Sequence, residues 1–405
     1  MTSSPTHDPG GDAGTVAVIG AGGIGIAWAV LFSAAGVRVR IHEADAAVRG
    51  RAREEVALKL AELSSAGLLD EDVAAVIARV TVCATLEEAL SGADFVQECV
   101  VEDVEVKRGL FAELDRLTDE RVVLASSTST IMASRFADGL PGRHRCVVVH
   151  PGNPPYVLRI AEIVPAAFTS AETVAATSAL LTRVGITPIV LHHEIEGFAF
   201  NRLQGAMLRE AYCLVRDGVI SATDLDTLVR EGLGLRWSVI GPFTTSELNT
   251  RGGLRRHAEV IGPVYARIGI ERAAENPWTP ETIERVATEI QARLPHAAWE
   301  DNVRERDRAM IRLSSLLRDF ANPLASGGDA PHAAAAAAAR VDADAPAPAP
   351  AEDGGNARHA AADEPGAADR GLHVLPASPE GAPAAGHAPP DRGLVGARRD
   401  RSTRL

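Results

Sequence analysis

The chain has 405 residues and a formal net charge of −13, long enough for two domains and a substantial core. An acidic balance of that size argues against nucleic acid or an anionic membrane surface as the main partner. Four cysteines (Cys83, Cys99, Cys146 and Cys213) lie far apart in apolar contexts without zinc spacing, which reads as reduced thiols in a cytoplasmic protein.

Residues 1–14 are polar and rich in Gly and Pro, with neither a basic start nor an apolar stretch. A disordered N-terminus without a signal peptide is expected. No apolar run approaches the roughly 20 residues of a membrane helix, so no membrane partner is expected. Over residues 15–193, short β-rich runs alternate with helical patterns, as in α/β folds with a parallel sheet. Val16 to Ile19 reads as a buried strand, and a helix of small residues follows to about Ala35. A second strand spans Val37 to Ile41, and an amphipathic helix runs from Ala44 to Ala66. Further strands are expected at Val80 to Val82, Asp94 to Glu98, Val122 to Ala125, Cys146 to Val149, Ala161 to Val164 and Thr187 to Leu191. Helical runs such as Val104 to Leu117 lie between them. The fold class is a Rossmann-type doubly wound sheet that binds a dinucleotide.

Residues 194–320 are nearly all helical in pattern and read as a smaller substrate and dimerisation domain. Phe198 to Val215 forms a long helix that Gly218 is placed to end. Ser221 and Asp224 suit a capping box for the next one. Thr279 to Leu294 and Trp299 to Leu317 look like closing amphipathic helices. Residues 321–405 contain no aromatic residue, Ile, Met or Lys, and read as a disordered, low-complexity tail.

The turn Gly20-Ala21-Gly22-Gly23-Ile24-Gly25 directly follows the first strand and opens a helix. In that setting the first Gly permits a tight turn, the second lets backbone approach a pyrophosphate, and the third lets helix and strand pack closely. Glu43, at the end of the second strand, can accept hydrogen bonds from ribose hydroxyls and would repel a 2′-phosphate. NAD is thus favoured as cofactor, while Arg38 and Arg40 nearby keep NADP open. Four later residues bring the chemistry. Ser129, His150, Glu162 and Asn201 supply a proton acceptor, a carboxylate to orient it, and two polar groups for a substrate oxygen. They suggest hydride transfer at a secondary alcohol. Ser129 and Asn201 could also cap nearby helices. His192-His193-Glu194 has the look of a metal cluster, but neighbouring side chains on a strand point apart, and no metal is expected. Cys99 reads as packing.

Ser126-Ser127-Thr128-Ser129, His150-Pro151-Gly152-Asn153-Pro154-Pro155 and Gly197-Phe198-Ala199-Phe200-Asn201-Arg202 together resemble the 3-hydroxyacyl-CoA dehydrogenase superfamily. With Gln97-Glu98-Cys99-Val100, Glu231-Gly232-Leu233-Gly234-Leu235-Arg236 and Ile240-Gly241-Pro242, the chain is most similar to the lambda-crystallin / L-gulonate 3-dehydrogenase branch. The resemblance runs from about Val16 to Leu317, and the spacings among the four polar residues agree with the family's. It implies that His150 is the general base, with Glu162 holding its other nitrogen and Ser129 and Asn201 on the reacting oxygen. Glu102 and Lys107 would lie along the NAD site, and Glu43 stands where the family usually has Asp. Arg236 would grip a substrate carboxylate, with Asn249 and Arg251 near it. A small L-3-hydroxy acid is the expected substrate. An acyl-CoA thioester of fatty acid metabolism comes second, and carnitine, which Trp237 would suit, third. A homodimer is expected, and a crystallin-like structural role is the non-enzymatic alternative.

Overall fold

The computed structural model describes residues 14–272 and 276–318; the expected N-terminal segment (but for Gly14) and the 321–405 tail lie outside them. Eight strands form one sheet: β1 (Thr15–Ile19), β2 (Arg38–His42), β3 (Val80–Cys83), β4 (Phe95–Glu98), β5 (Val123–Ser126), β6 (Cys146–Pro151), β7 (Ile160–Val164) and β8 (Thr187–Val190). Their order is β3-β2-β1-β4-β5-β6-β7-β8. β1 to β6 are all parallel, and β1 lies next to β4 rather than β3, so the winding direction reverses between them. Ligands of such sheets bind at that reversal, above the carboxyl ends of the strands.

The last two strands depart from the expected pattern. β7 runs antiparallel to β6, and β8 runs parallel to β7. The cause is the short link between β6 and β7, which has no helix to carry the chain back across the sheet; a parallel pair needs such a crossover.

Helices cover both faces of the sheet. Helix Gly23–Ala34 is buried along most of its length, and its Trp28 and Phe32 rings stack at 5.2 Å. Asp45, Asp103 and Ser170 cap helices Ala46–Ser65, Val104–Leu117 and Ala171–Arg183 by accepting from their free first-turn amides. The second half is helical, as expected: Phe198–Arg216, Ala222–Leu228, Pro242–Asn249, Gly253–Arg272, Pro280–Arg293 and Trp299–Arg318. Gly218 leaves the first of these with φ 72°, in the left-handed region that favours glycine. Only half of the expected capping box forms. Ser221 accepts from the Asp224 amide, but the free amides of Ala222 and Thr223 go to Glu289, a carboxylate from a distant helix. The closing helix returns to the sheet, and its Ile311 joins the core that holds Leu60, Leu63 and Tyr156.

Candidate active site

The glycine turn has the geometry that a dinucleotide requires. Gly20 sits at φ 104°, and a Cβ there would lie 2.6 Å from the Cys99 carbonyl oxygen at the end of β4. A Cβ on Gly25 would lie 1.9 Å from the Gly20 carbonyl, so the helix can approach the strand only through glycine. Gly22 and Gly23 face open space, while Ile24 tucks into the core. No side chain caps this helix start, which leaves its amides free for a phosphate. Glu43 reaches back to the turn: Oε2 accepts from the Ala21 amide at 2.9 Å and Oε1 from the Asp45 amide at 3.0 Å. Arg38 and Arg40, the groups that kept NADP open, are engaged elsewhere. Arg38 donates to Thr15, and Arg40 donates to the carbonyls of Glu88 and Ser91. Cys99 packs beside Ser127, and burial pushes its thiol far above the usual range.

His150 and Glu162 are directly opposed residues in the antiparallel pair β6–β7. Cross-strand neighbours on one face stand close enough for their side chains to meet. Here Nδ1 of His150 and Oε2 of Glu162 lie 2.8 Å apart, with the residues 7% and 4% exposed. Glu162 thus lies in the middle of β7. Its other oxygen accepts from the amides of Ala199 at 2.8 Å and Phe200 at 2.9 Å, the free start of helix Phe198–Arg216. Burial would raise the Glu162 pKa, but the hydrogen bonds from His150, Phe200 and Ala199 outweigh it and hold the group below its ordinary value. An ionised carboxylate can only accept, so Nδ1 carries the proton that faces it and Nε2 is the nitrogen left for a substrate.

The approach of that helix depends on two consecutive left-handed residues, Gly197 (φ 77°) and Phe198 (φ 51°). Phe198 is fully buried, and packing there outweighs the backbone strain, which costs about 1–3 kcal/mol. Its ring lies 5.5 Å from the imidazole, and that of Phe200 stands edge-on at 6.1 Å.

Ser129 and Asn201 meet as well. Asn201 Nδ2 donates to the Ser129 carbonyl at 2.7 Å, tying the loop after β5 to the helical half. Neither caps a helix: Gly197 and Met132 occupy those positions. Glu102 fixes the same loop. Its Oε1 accepts from Thr128 Oγ1 at 2.5 Å and from the amides of Ser129 and Thr130 at 2.9 and 3.0 Å. Burial works against its ionisation, but these bonds and Lys107 lower its pKa. Lys107 is 1% exposed and is held by both oxygens of Glu98, with Glu102 at 3.6 Å. Placed there, it braces Glu102 from inside the protein.

Other candidates stand apart. Arg236 is exposed, and its guanidinium has neither a hydrogen bond nor an ion pair among the described residues; Trp237, Asn249 and Arg251 are exposed too. Glu194 accepts from the Ser134 amide at 3.0 Å, a helix-start contact. Sequence reasoning missed Phe198, Phe200 and Glu98. The Gly-Phe pair at a helix start was a usable signal for Phe198, whereas nothing marked Phe200 and nothing in the spacing links Glu98 to Lys107.

Residues 15–195 match the model of the 3-hydroxyacyl-CoA dehydrogenase NAD binding domain, and residues 197–288 match that of the 3-hydroxyacyl-CoA dehydrogenase C-terminal domain. The bovine (Bos taurus) lambda-crystallin homolog is 38% identical over 330 residues, covering 78% of this chain and 98% of that one. The L-carnitine dehydrogenase of Oceanobacillus iheyensis is 32% identical, covering 75% and 98%. Among solved structures, (S)-3-hydroxybutyryl-CoA dehydrogenase PaaH1 from Ralstonia eutropha superposes with a TM-score of 0.53 at 27% identity, covering 68% and 94%. Two family models in tandem and relatives matched over nearly their whole length place this chain in the 3-hydroxyacyl-CoA dehydrogenase family, as an NAD-dependent dehydrogenase.

Proposed function

We propose that the protein oxidises the 3-hydroxyl of a small, L-gulonate-like L-3-hydroxy acid to the 3-keto acid, with His150 as general base. The observation that carries this reading is the His150–Glu162 pair, whose carboxylate is locked by the amides of Ala199 and Phe200. Bound NAD supplies the acceptor for the hydride that leaves C3. His150 Nε2 takes the hydroxyl proton as the carbonyl forms, and Glu162 stabilises the resulting imidazolium. The Ser129 hydroxyl, exposed and without a hydrogen bond among the described residues, and Asn201 hold the reacting oxygen. Arg236, whose guanidinium has no partner among the described residues, suits a substrate carboxylate in bidentate fashion. Likeness to the lambda-crystallin homologs favours the small acid over a thioester. We read the protein as a cytoplasmic homodimer divided at about residue 193, with Glu43, Glu102 and Lys107 supporting the cofactor side.

NADH absorbance followed with purified protein, NAD and a panel of gulonate, 3-hydroxybutyrate, carnitine and 3-hydroxybutyryl-CoA tests the reading. Turnover is expected with a free hydroxy acid. Turnover with the thioester alone would overturn the substrate, and none with any of them would favour a crystallin-like structural role.

A further inference from the structure

Two carboxylates hold the loop that carries Ser129, and one buried ammonium stands between them. Glu98, the last residue of β4, is fully buried and takes two hydrogen bonds from Lys107, at 2.8 Å to Oε1 and 3.0 Å to Oε2. Its Oε1 also accepts from the Val100 amide at 2.7 Å, and its Oε2 from Ser126 Oγ at 2.5 Å. Four donors fill the acceptor positions of a carboxylate, so this one is fixed in place. Ser126 Oγ in turn accepts from the Thr128 amide at 3.2 Å, which ties Glu98 to the start of the loop. Glu102 grips the same loop from the other side, where its Oε1 accepts from Thr128, Ser129 and Thr130. Its Oε2 lies 3.6 Å from Lys107 Nζ, beyond hydrogen-bond reach.

A buried ammonium left without an anion is costly, so Lys107 goes to whichever carboxylate can satisfy it. Here Glu98 does so, and Glu102 stays free for the loop. Without the charge on Glu98, Glu102 is the carboxylate within reach of Lys107. We infer that Glu98 is a positioning residue for the oxidation. By drawing Lys107 away from Glu102 and holding Ser126 against the Thr128 amide, it fixes residues 128–130 and so the Ser129 hydroxyl. This rests on Ser129 holding the reacting oxygen in the proposed reaction. Asn201 depends on the same anchor, since its Nδ2 donates to the Ser129 carbonyl. Glu98 itself, fully buried, acts only through these neighbours.

A double-mutant cycle tests it, with two readouts on the full chain. One is NADH formation from NAD and gulonate or, failing turnover, 3-hydroxybutyrate; the other is hydrogen exchange of the amides of residues 127–131. Glu98→Gln keeps the shape of the side chain and removes its charge. Its kcat should fall about 10- to 100-fold, as for a misplacement on the order of 1 Å, and the loop amides should exchange faster. Ser129→Ala should lower kcat about 10²-fold or more. In that background the further loss from Glu98→Gln should shrink to about twofold or less, because the group it positions is gone. Ser126→Ala breaks the second tie without leaving a buried charge uncompensated, and it replaces Glu98→Gln if that variant does not fold. It should show the same dependence on Ser129. Equal fold-losses with and without the Ser129 hydroxyl, or loop exchange at the wild-type rate, would overturn the inference and leave the proposed reaction standing. Wild-type kcat in Ser129→Ala would instead overturn the role given to Ser129, and the inference with it.

Discussion

Glu162 receives three hydrogen bonds while only 4% exposed, so its charge bears on both catalysis and stability. Its folded pKa lies below the ordinary 4.5. A carboxylate depressed on folding stabilises the native state at pH above its unfolded value, and that contribution fades as pH falls through the folded one. Glu162→Gln should therefore be less stable than wild type at about pH 7, with the gap closing as the medium is acidified below about pH 4. Urea unfolding at both pH values checks this, and a gap that ignores pH would contradict the assigned ionisation. His150→Ala should lower kcat by about 10²- to 10⁴-fold, the usual worth of a general base, while NAD affinity measured by fluorescence titration stays level. Unchanged rates would take His150 out of the mechanism. The glycine turn separates fold from cofactor in the same way. Gly22→Ala meets open space and should keep its melting temperature while losing NAD affinity. Gly20→Ala meets the Cys99 carbonyl in a left-handed conformation, and calorimetry should show a loss of stability of about 1–3 kcal/mol or more. If Gly22→Ala binds NAD normally, the cradle has been misplaced. The two pairs that meet, His150–Glu162 and Ser129–Asn201, could be picked out in sequence because each member is a polar type at motif spacing. Phe200 was not, because an aromatic residue on a helix looks the same whether it faces a core or a catalytic ring.

At the scale of elements, all eight strands were legible to within a residue or two, because buried parallel strands are short apolar runs bounded by turns. The direction of β7 was not. Apolar periodicity identifies a strand but carries no sign for its partner, and only the length of the β6–β7 link held that information. The consequence is large, since the antiparallel register is what sets Glu162 opposite His150. The closing helix Trp299–Arg318 was equally visible as an amphipathic pattern, but not its destination. Its Ile311, 2% exposed, shares a core with Tyr156, which lies in the segment that follows His150. Ile311→Ala should therefore cost about 2–5 kcal/mol, the range for emptying a buried aliphatic site. It should also lower kcat below the effect of a surface substitution on the same helix. Chemical denaturation and turnover measured on both variants decide it. An activity loss no greater than the surface control's would show that this helix supports the fold without steadying the catalytic segment.

Over the whole molecule, apolar residues are distributed unevenly. The sheet and its helices bury theirs in two cores, one on each face. The helical half leaves Leu235, Phe243, Leu248 and Ile270 each more than half exposed. Composition could not show this, since the same residues would serve as well in a core. What distinguishes them is that helix Gly253–Arg272 packs on helix Pro242–Asn249 and still buries none of its residues. Ile270→Glu is then a sharp probe. At 77% exposure the side chain contributes little to the protomer, so the substitution should leave thermal stability of the isolated chain nearly unchanged. Across a covered two-fold face it would bury two like charges, which costs far more than a single exposed substitution. Sedimentation at micromolar concentration should give a dimer for wild type and a monomer for Ile270→Glu, and turnover should fall with the loss of pairing. A wild-type chain that sediments as a monomer would refute the assembly. A monomeric variant that turns over at the wild-type rate would show instead that each site is complete within one chain.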